Sequence, residues 1–144
     1  MKMELHASPK EVMRGVETLQ NFARAEGLSE KVIFGLALAL EECGSNVVNH
    51  GLQCDAQKQF QVVIEHTNHA FVIELRDCGP EFDPTKATAR KPQADEDDLP
   101  GGWGIQLVRR YMDEIHYARV GNENVLRLIK HVGLSADEEN SKTN

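Results

Sequence analysis

The hydrophobic residues of this chain change their spacing near residue 51, and that change limits the folds available to it. Up to about residue 51 they recur every three or four residues, which is the spacing of helices with one buried face. Beyond that point they alternate with polar residues, at Phe60, Val62, Ile64, Phe71, Ile73 and Leu75. Alternation of this kind is typical of strands with one buried face. Helices are therefore predicted before residue 51, and a β-hairpin that turns at residues 66–69 is predicted after it.

Capping residues set the bounds of the predicted helices. Ser8 is a good N-cap for a helix that runs to about Ala25, and Gly27 ends it. Ser29 begins a second helix, which continues to about Gly51. Residues 2–8 alternate weakly and predict an edge strand before the first helix.

The second half of the chain contains a long segment without periodicity. Residues 85–100 are rich in Lys, Asp, Pro and Ala, and a segment of this length in a small domain is usually a functional loop. A helix is predicted after Gly101, with Ile105, Val108, Met112 and Ile115 on one side, and strands are predicted near residues 116–120 and 125–130. The polar tail, residues 135–144, is predicted to be disordered, which leaves a single domain over residues 1–134.

Composition excludes several classes of function. The chain has 144 residues, 40% of them hydrophobic, which suits one globular domain. Its net charge of −7 argues against direct binding to nucleic acid. No apolar run approaches the ~20 residues needed to span a membrane, and the first residues lack the apolar core of a signal peptide. We therefore expect a cytoplasmic protein, and its three cysteines do not form a disulfide framework.

The second predicted helix carries three polar residues in one row. Glu42, Asn46 and His50 are spaced by four residues, so they share one stripe of an otherwise largely apolar helix. Polar groups on such a stripe need partners, because an unpaired buried group costs about 1–3 kcal/mol. A carboxylate, an amide oxygen and an imidazole that face one place suit a hydrated divalent cation and a phosphate. The stripe is a first indication of a nucleotide site.

Two further stretches carry unusual residues. Asp77 and Gly79 form an Asp-x-Gly sequence just after the second strand of the hairpin, followed by Phe82-Asp-Pro, and Gly101-Gly-x-Gly opens the next helix. Taken singly, Asp-x-Gly is an ordinary turn and a glycine-rich stretch is an ordinary hinge. The three stretches in this order are much more specific than any one of them.

Together they resemble the ATP-binding fold shared by gyrase-type ATPases, the Hsp90 chaperone, histidine kinases and the MutL repair protein. Within that superfamily the chain is most similar to the small anti-sigma factor kinases, which phosphorylate a serine on an anti-sigma-factor antagonist. The resemblance covers residues 4–131, and its most specific part is Gly101 to Glu114, which ends in Met-Asp-Glu. It implies a Bergerat-type α/β (α+β) two-layer sandwich, with a mixed, mainly antiparallel sheet and helices on one face. It also implies ATP and Mg²⁺ as cofactors, a sigma factor and an antagonist protein as partners, and a possible homodimer.

The resemblance assigns roles to the residues of the stripe. Asn46 would coordinate Mg²⁺ through its amide oxygen, as the one protein ligand among phosphates and waters. Glu42 would act as the general base or orient the attacking nucleophile. His50 would lie close to the nucleotide, although an imidazole at a helix C-terminus is also favoured by the helix dipole alone.

The other two stretches would hold the base and the phosphates. Asp77 would accept a hydrogen bond from the adenine amino group, and Gly79 would let the backbone approach the base. Gly102 and Gly104 would offer backbone N–H groups to the phosphates at a helix N-terminus. The resemblance adds Phe82, Gly101 and Ile105 to the nucleotide contacts. Residues 85–100 would form a lid over the nucleotide.

One departure from the kinase pattern concerns charge. The residues before the glycines, Asp97 to Pro100, include no basic side chain for the γ-phosphate, although Lys86, Arg90 and Lys91 in the lid are possible substitutes. A second hypothesis is therefore a catalytically weak ATP-binding module whose partner binding is switched by nucleotide. A detached histidine-kinase domain is less well supported, because the chain has no candidate helix with a phosphoacceptor histidine. A hydrolase is also poorly supported, since no nucleophile motif accompanies the stripe.

Overall fold

A computed structural model describes residues 1–52, 55–86 and 101–133, with only the backbone described at 101–104. Its elements, in chain order, are β1 (Lys2–His6), α1 (Pro9–Ala25), α2 (Glu30–Asn46) with a π-helical turn (Val47–Gly51), β2 (Gln59–His66), β3 (Ala70–Asp77), a short 3₁₀ turn (Pro84–Lys86), α3 (Gly101–Tyr111), β4 (Glu114–Val120) and β5 (Glu123–His131). The predicted lid lies outside the described residues from 87 onward, and so do residue 134 and the tail.

The predicted caps begin both long helices. The Ser8 hydroxyl oxygen accepts a hydrogen bond from the Glu11 N–H at 3.3 Å, and the Ser29 hydroxyl oxygen accepts one from the Val32 N–H at 3.2 Å. Each bond satisfies a backbone donor that the first turn of a helix leaves unpaired. Gly27, with φ +84°, reverses the chain between the helices. These signals are local, so the sequence alone predicted both helix starts correctly.

The five strands found among the described residues form one sheet in the order β1-β2-β3-β5-β4, and every neighbouring pair is antiparallel. The predictions of an edge strand at the N-terminus, of the β2–β3 hairpin and of a mainly antiparallel sheet are confirmed. The prediction of a mixed sheet was wrong for the described part of the chain, because that part contains no parallel pair of strands. The crossover through α3 returns β4 in the direction of β3, but the β4–β5 hairpin inserts β5 between them.

One core lies between the inner face of the sheet and the helices. Alternate residues of the strands, such as Phe60, Ile73 and Leu128, are fully buried there against the apolar side of α1 and α2. The third helix is shorter than predicted: it ends at Tyr111, and Ile115, expected on its buried face, lies in β4. The periodic apolar spacing runs across the boundary, so spacing alone could not show where the helix stops.

The segment Glu30–Gly51 is long and apolar enough, by length and composition alone, to cross a membrane. The expectation that no segment approaches such a length was therefore wrong. Its side chains Ile33, Leu36 and Leu40 are buried in the core against the rest of the domain. This burial explains its low polarity, because a helix surrounded by other elements has little surface for charged residues.

Candidate functional site

The polar stripe lies at the C-terminal end of α2. Glu42 and Asn46 are partly buried, and their side chains make no hydrogen bond to the described residues. Burial raises the pKa of the Glu42 carboxyl above its ordinary value, and the neighbouring charge of Glu41 raises it further. A general base is most effective when its pKa lies near the working pH, and a raised pKa brings the Glu42 carboxyl closer to that value.

The π-helical turn places His50 differently from the other two stripe residues. Its wider winding rotates residues 47–51 relative to an ideal α-helix, so a spacing of four residues no longer keeps one face. The exposed His50 ring stacks on the ring of Phe82, with centroids 5.5 Å apart and planes 26° apart. His50 is not among the residues that line the neighbouring pocket, whereas Asn46 and Phe82 are.

Asp77 is the best-held acidic side chain of the site. It ends β3 and is only 6% exposed. Its Oδ1 accepts hydrogen bonds from the Gly79 N–H at 2.9 Å and from Nδ2 of Asn124 at 3.0 Å. Asp77 and Asn124 are directly opposite each other in the β3–β5 register. The sheet itself therefore fixes this carboxylate.

Gly79 is required by the protein's own packing. A Cβ built on Gly79 would lie 2.3 Å from the Gly51 carbonyl oxygen and 2.9 Å from Oδ1 of Asp77. A Cβ on Gly51 would in turn lie 3.2 Å from Oδ1 of Asp77. The two glycines thus let the loop after β3 press against the end of the π-helical turn. The sequence had suggested a different reason for Gly79, namely room for a base.

The pocket between α2 and the end of the sheet brings two of the three predicted stretches together. It is narrow, and it is lined by Cys43, Asn46, Val47, Gly51, Leu75, Asp77, Phe82, Pro84, Tyr117, Asn124 and Leu126. Apolar side chains form most of its wall, while Asp77, Asn46 and Asn124 supply polar groups. An apolar cleft with a few fixed polar groups is the usual form of a small-molecule site.

Sequence reasoning missed three residues of this site, all on the β4–β5 hairpin. Nδ2 of Asn124 donates to the carbonyl oxygens of Pro80 and Gly79, at 2.8 Å and 3.4 Å, as well as to Asp77. Tyr117 donates its hydroxyl hydrogen to Oδ1 of Asn124, and Arg119 donates to the Gly79 carbonyl oxygen at 2.7 Å. The available signal was the period of β5, because Asn124 shares the inward face with the apolar residues at 126 and 128.

The third stretch opens α3. Gly101, Gly102 and Gly104 lie in its first turn, and Ile105 is buried in the core at 1% exposure. The far end of the helix packs on α2, where a Cβ on Gly35 would meet the Tyr111 ring at 3.0 Å. The glycines therefore lie at a helix N-terminus, where backbone N–H groups are unpaired and favour anions.

The first residues of the predicted lid are tied to α3. The Thr85 N–H and hydroxyl both donate to Oδ1 of Asp83, and Nη2 of Arg109 donates to the Thr85 carbonyl oxygen at 2.9 Å. Lys86, one of the three candidate cations for a γ-phosphate, is exposed. Arg90 and Lys91 lie outside the described residues.

Among known proteins, this chain is similar to the serine/threonine-protein kinase BtrW of Bordetella bronchiseptica. The two are 26% identical over 130 residues, which cover 90% of this chain and 92% of that kinase. The prediction that the chain is related to protein-serine kinases is confirmed by this match.

Two solved structures have a similar fold. One is the SiaB-SiaC complex from Pseudomonas aeruginosa, matched with a TM-score of 0.65 at 15% identity over 90% of this chain and 88% of that one. The other is the RsbU and RsbW domains of Rv1364c from Mycobacterium tuberculosis, with a TM-score of 0.61 at 13% identity over 93% of this chain. The chain spans about a third of that second structure's length, 34%. These likenesses confirm the fold predicted from the motifs.

A family model described as "Histidine kinase-like ATPase domain" matches residues 5–130. This range contains the stripe of α2, the Asp-x-Gly sequence after β3 and the glycines of α3. It also agrees closely with residues 4–131, over which the motifs resembled the superfamily. The chain belongs to the histidine kinase-like ATPase domain family.

Proposed function

We propose that this protein is a Mg²⁺- and ATP-dependent protein-serine kinase of the anti-sigma type. In this proposal it acts in the cytoplasm, phosphorylates a serine of a small anti-sigma-factor antagonist of the STAS type and sequesters a sigma factor. The observation that carries the proposal is the fixed Asp77 carboxylate in an apolar pocket that also contains Asn46. Family membership supports the use of ATP.

The pocket suits an adenine base. Oδ1 of Asp77 already accepts two hydrogen bonds, whereas Oδ2 accepts none from the described residues. An ionised carboxylate can only accept, so it would favour a ligand with an amino group at that point over one with a carbonyl oxygen. Adenine carries such an amino group and guanine carries a carbonyl there. The apolar wall formed by Leu75, Val47 and Leu126 suits the faces of a flat base.

The donor set fits magnesium held mainly by phosphates. Within the described ranges no three His, Cys, Asp or Glu side chains are grouped to hold a metal. The Asn46 amide oxygen is a hard ligand of the kind that Mg²⁺ takes, and this ion commonly keeps one or two protein ligands beside phosphates and waters. Bound Mg²⁺ would neutralise charge on the phosphates, while the glycines at the start of α3 would offer backbone N–H groups to them.

Glu42 is placed one helical turn before Asn46 and has a raised pKa. As the general base it would accept the proton of the substrate serine hydroxyl. The serine oxygen then bonds to the γ-phosphorus, the bond from that phosphorus to the β,γ-bridging oxygen breaks, and ADP leaves. Positioning and charge neutralisation supply most of the rate acceleration in such transfers, so a single carboxylate is sufficient as the catalytic side chain.

The partner is proposed from the family and from charge. One of the two similar structures is a complex of SiaB with SiaC, and the other contains an RsbU domain together with an RsbW domain. Each of these structures therefore contains a second protein or domain. A net charge of −7 would favour docking on a basic protein face. A STAS-type antagonist and a sigma factor are the partners that this proposal names.

The test is transfer of label from γ-labelled ATP to a purified antagonist protein. We expect serine phosphorylation that requires Mg²⁺ and that is lost in Glu42→Ala. The control is Glu65→Ala, which removes an exposed carboxylate on the outer face of β2. Absence of transfer to every candidate antagonist, with ATP bound, would contradict the kinase proposal.

A second candidate function is an ATP-binding module with weak or no transfer. The observation that favours it is the acidic and apolar sequence Asp97 to Pro100, directly before the glycines, which offers no cation to the γ-phosphate. Such a module would bind ATP tightly, turn it over slowly and change its affinity for a partner with nucleotide. Calorimetry of partner binding with ATP, ADP and no nucleotide distinguishes it from the kinase.

A further inference from the structure

The Asn124 side chain makes an unusually large number of contacts for one amide. It is 5% exposed and is the second residue of β5, directly opposite Asp77. Its Nδ2 donates to Asp77, Gly79 and Pro80, and its Oδ1 accepts from the Phe82 N–H at 3.2 Å and from the Tyr117 hydroxyl. One side chain thus connects the carboxylate to the loop that follows β3.

The surroundings fix which end of the amide faces Asp77. The Phe82 N–H, which can only donate, and the Tyr117 hydroxyl, which donates here, converge on one side of Asn124. Two backbone carbonyl oxygens and the carboxylate lie on the other side. A flipped amide would set its NH₂ group against the Phe82 N–H and its oxygen against acceptors. Only one orientation satisfies the groups around Asn124, because the Phe82 N–H can only donate and the two backbone carbonyl oxygens can only accept. The Tyr117 hydroxyl adds a further hydrogen bond that holds the amide in this orientation.

This orientation has a consequence for the carboxylate. The Gly79 N–H and the Asn124 amide both donate to Oδ1 of Asp77, so that oxygen is occupied. Oδ2 is left as the acceptor for a ligand. The direction in which Asp77 can accept a hydrogen bond is therefore set by Asn124 rather than by Asp77 alone.

We infer that Asn124, held in place by hydrogen bonds that include the one from Tyr117, is a positioning residue that determines base specificity. It occupies Oδ1 of Asp77 and so leaves Oδ2 to accept from the amino group of the base. Neither Asn124 nor Tyr117 needs to contact the nucleotide for this effect. The inference rests on the proposed function, because it assumes that the pocket binds the base of a nucleoside triphosphate.

The decisive variant is Asn124→Asp, which keeps the size of the side chain and replaces its donor with an acceptor. Two carboxylates so close together cannot both remain charged, so one would take up a proton. A protonated Asp77 can donate, and it then tolerates a carbonyl on the base. The probes are ATP and inosine triphosphate, which carries a carbonyl where adenine carries its amino group.

The measurement is the affinity for each nucleotide by calorimetry with Mg²⁺ present. We expect the preference for ATP over inosine triphosphate to fall at least about tenfold in Asn124→Asp. In Tyr117→Phe, which keeps the ring and the Phe82 N–H contact, we expect a smaller loss of about threefold. The matched control is Asn122→Asp, the same change at an exposed position of the β4–β5 turn, and it should keep the wild-type preference.

If the role of Asn124 were purely structural, Asn124→Asp would weaken the binding of both nucleotides equally and leave the preference for ATP unchanged. That result would overturn the inference. Thermal denaturation identifies a variant that does not fold. If Asn124→Asp does not fold, Tyr117→Phe decides, and an unchanged preference in that variant overturns the orienting role. A wild-type protein that binds neither nucleotide would instead refute the proposed function, which separates the two failures.

Discussion

The two ends of the candidate site are built in different ways. At the base end, Asp77 is buried and hydrogen-bonded, and two glycine backbones press together behind it. At the phosphate end, Glu42 and Asn46 make no hydrogen bond to the described residues, and the three candidate cations belong to the lid segment. At the base end the polar side chains are hydrogen-bonded within the protein, whereas at the phosphate end they are available to bind ligands.

This difference fits what each end has to do. Recognition of a base depends on a fixed donor or acceptor, because a misplaced carboxylate loses its selectivity. Phosphates and Mg²⁺ bring their own charge and ligands, and transfer requires groups that are free to accept a proton. The comparison therefore predicts large effects on rate at the phosphate end, and effects on stability and selectivity at the base end.

The largest expected effect is on catalysis at the phosphate end. Glu42→Gln removes the general base and keeps the size of the side chain, so we expect the transfer rate to fall about 10²–10⁴-fold. The affinity for ATP should change little, because no contact to the adenine is lost. Single-turnover transfer and calorimetry measure the two quantities separately. An unchanged rate would assign the base to another residue.

The next effect is on stability at the base end. In Gly79→Ala the new methyl group would meet the Gly51 carbonyl oxygen, which is backbone and cannot move aside cheaply. We expect a loss of roughly 3 kcal/mol in the free energy of unfolding. Gly51→Ala is the matched variant, since its methyl group would lie 3.2 Å from a carboxylate oxygen, and it should cost less. Thermal and urea denaturation test this order, and equal costs would refute the tight packing.

Most of the fold could be predicted from local signals. Ser8 and Ser29 cap helices through contacts within three residues, and alternation identified the strands of the β2–β3 hairpin. The position of β5 between β3 and β4 could not be predicted in this way, because it depends on pairing between residues far apart in sequence. The end of α3 was missed because apolar spacing continues into β4.

The candidate site was less predictable than the fold. The spacing of Glu42 and Asn46 depends on a regular α-helix, and the structure keeps it up to Asn46. The π-helical turn that follows changes the direction of His50, and a turn of this kind has no clear signature in the sequence. Asn124 was missed because a polar residue at the start of a strand is common. Its importance arises only from its pairing with Asp77.

A third prediction concerns the metal at the phosphate end. Asn46→Ala removes the proposed oxygen ligand, so ATP affinity in the presence of Mg²⁺ should fall about tenfold, with affinity in EDTA unchanged. Asn46→Asp keeps an oxygen at the same position and should retain the dependence on Mg²⁺. Calorimetry with and without the ion tests both variants. Equal dependence on Mg²⁺ in Asn46→Ala and wild type would show that the ion is held by other groups.

The smallest expected effect tests how the protein tunes Glu42. Burial is the larger cause of its raised pKa, and the charge of Glu41 is the smaller one. Because the charged form of Glu42 is the base, the transfer rate should be lost as pH falls through this raised pKa. Glu41→Gln removes one cause, so the pKa of Glu42 falls and the acid limb of the pH–rate profile moves to lower pH.

The matched control for that shift is Glu65→Gln, which makes the same change in net charge on the outer face of β2. It should leave the acid limb of the single-turnover rate in place. A shift in both variants would mean that overall charge, rather than the neighbour on α2, controls the profile. No shift in Glu41→Gln would mean that burial alone sets the pKa of Glu42. The phosphate end would then resemble the base end, because the fold itself would fix the state of its carboxylate.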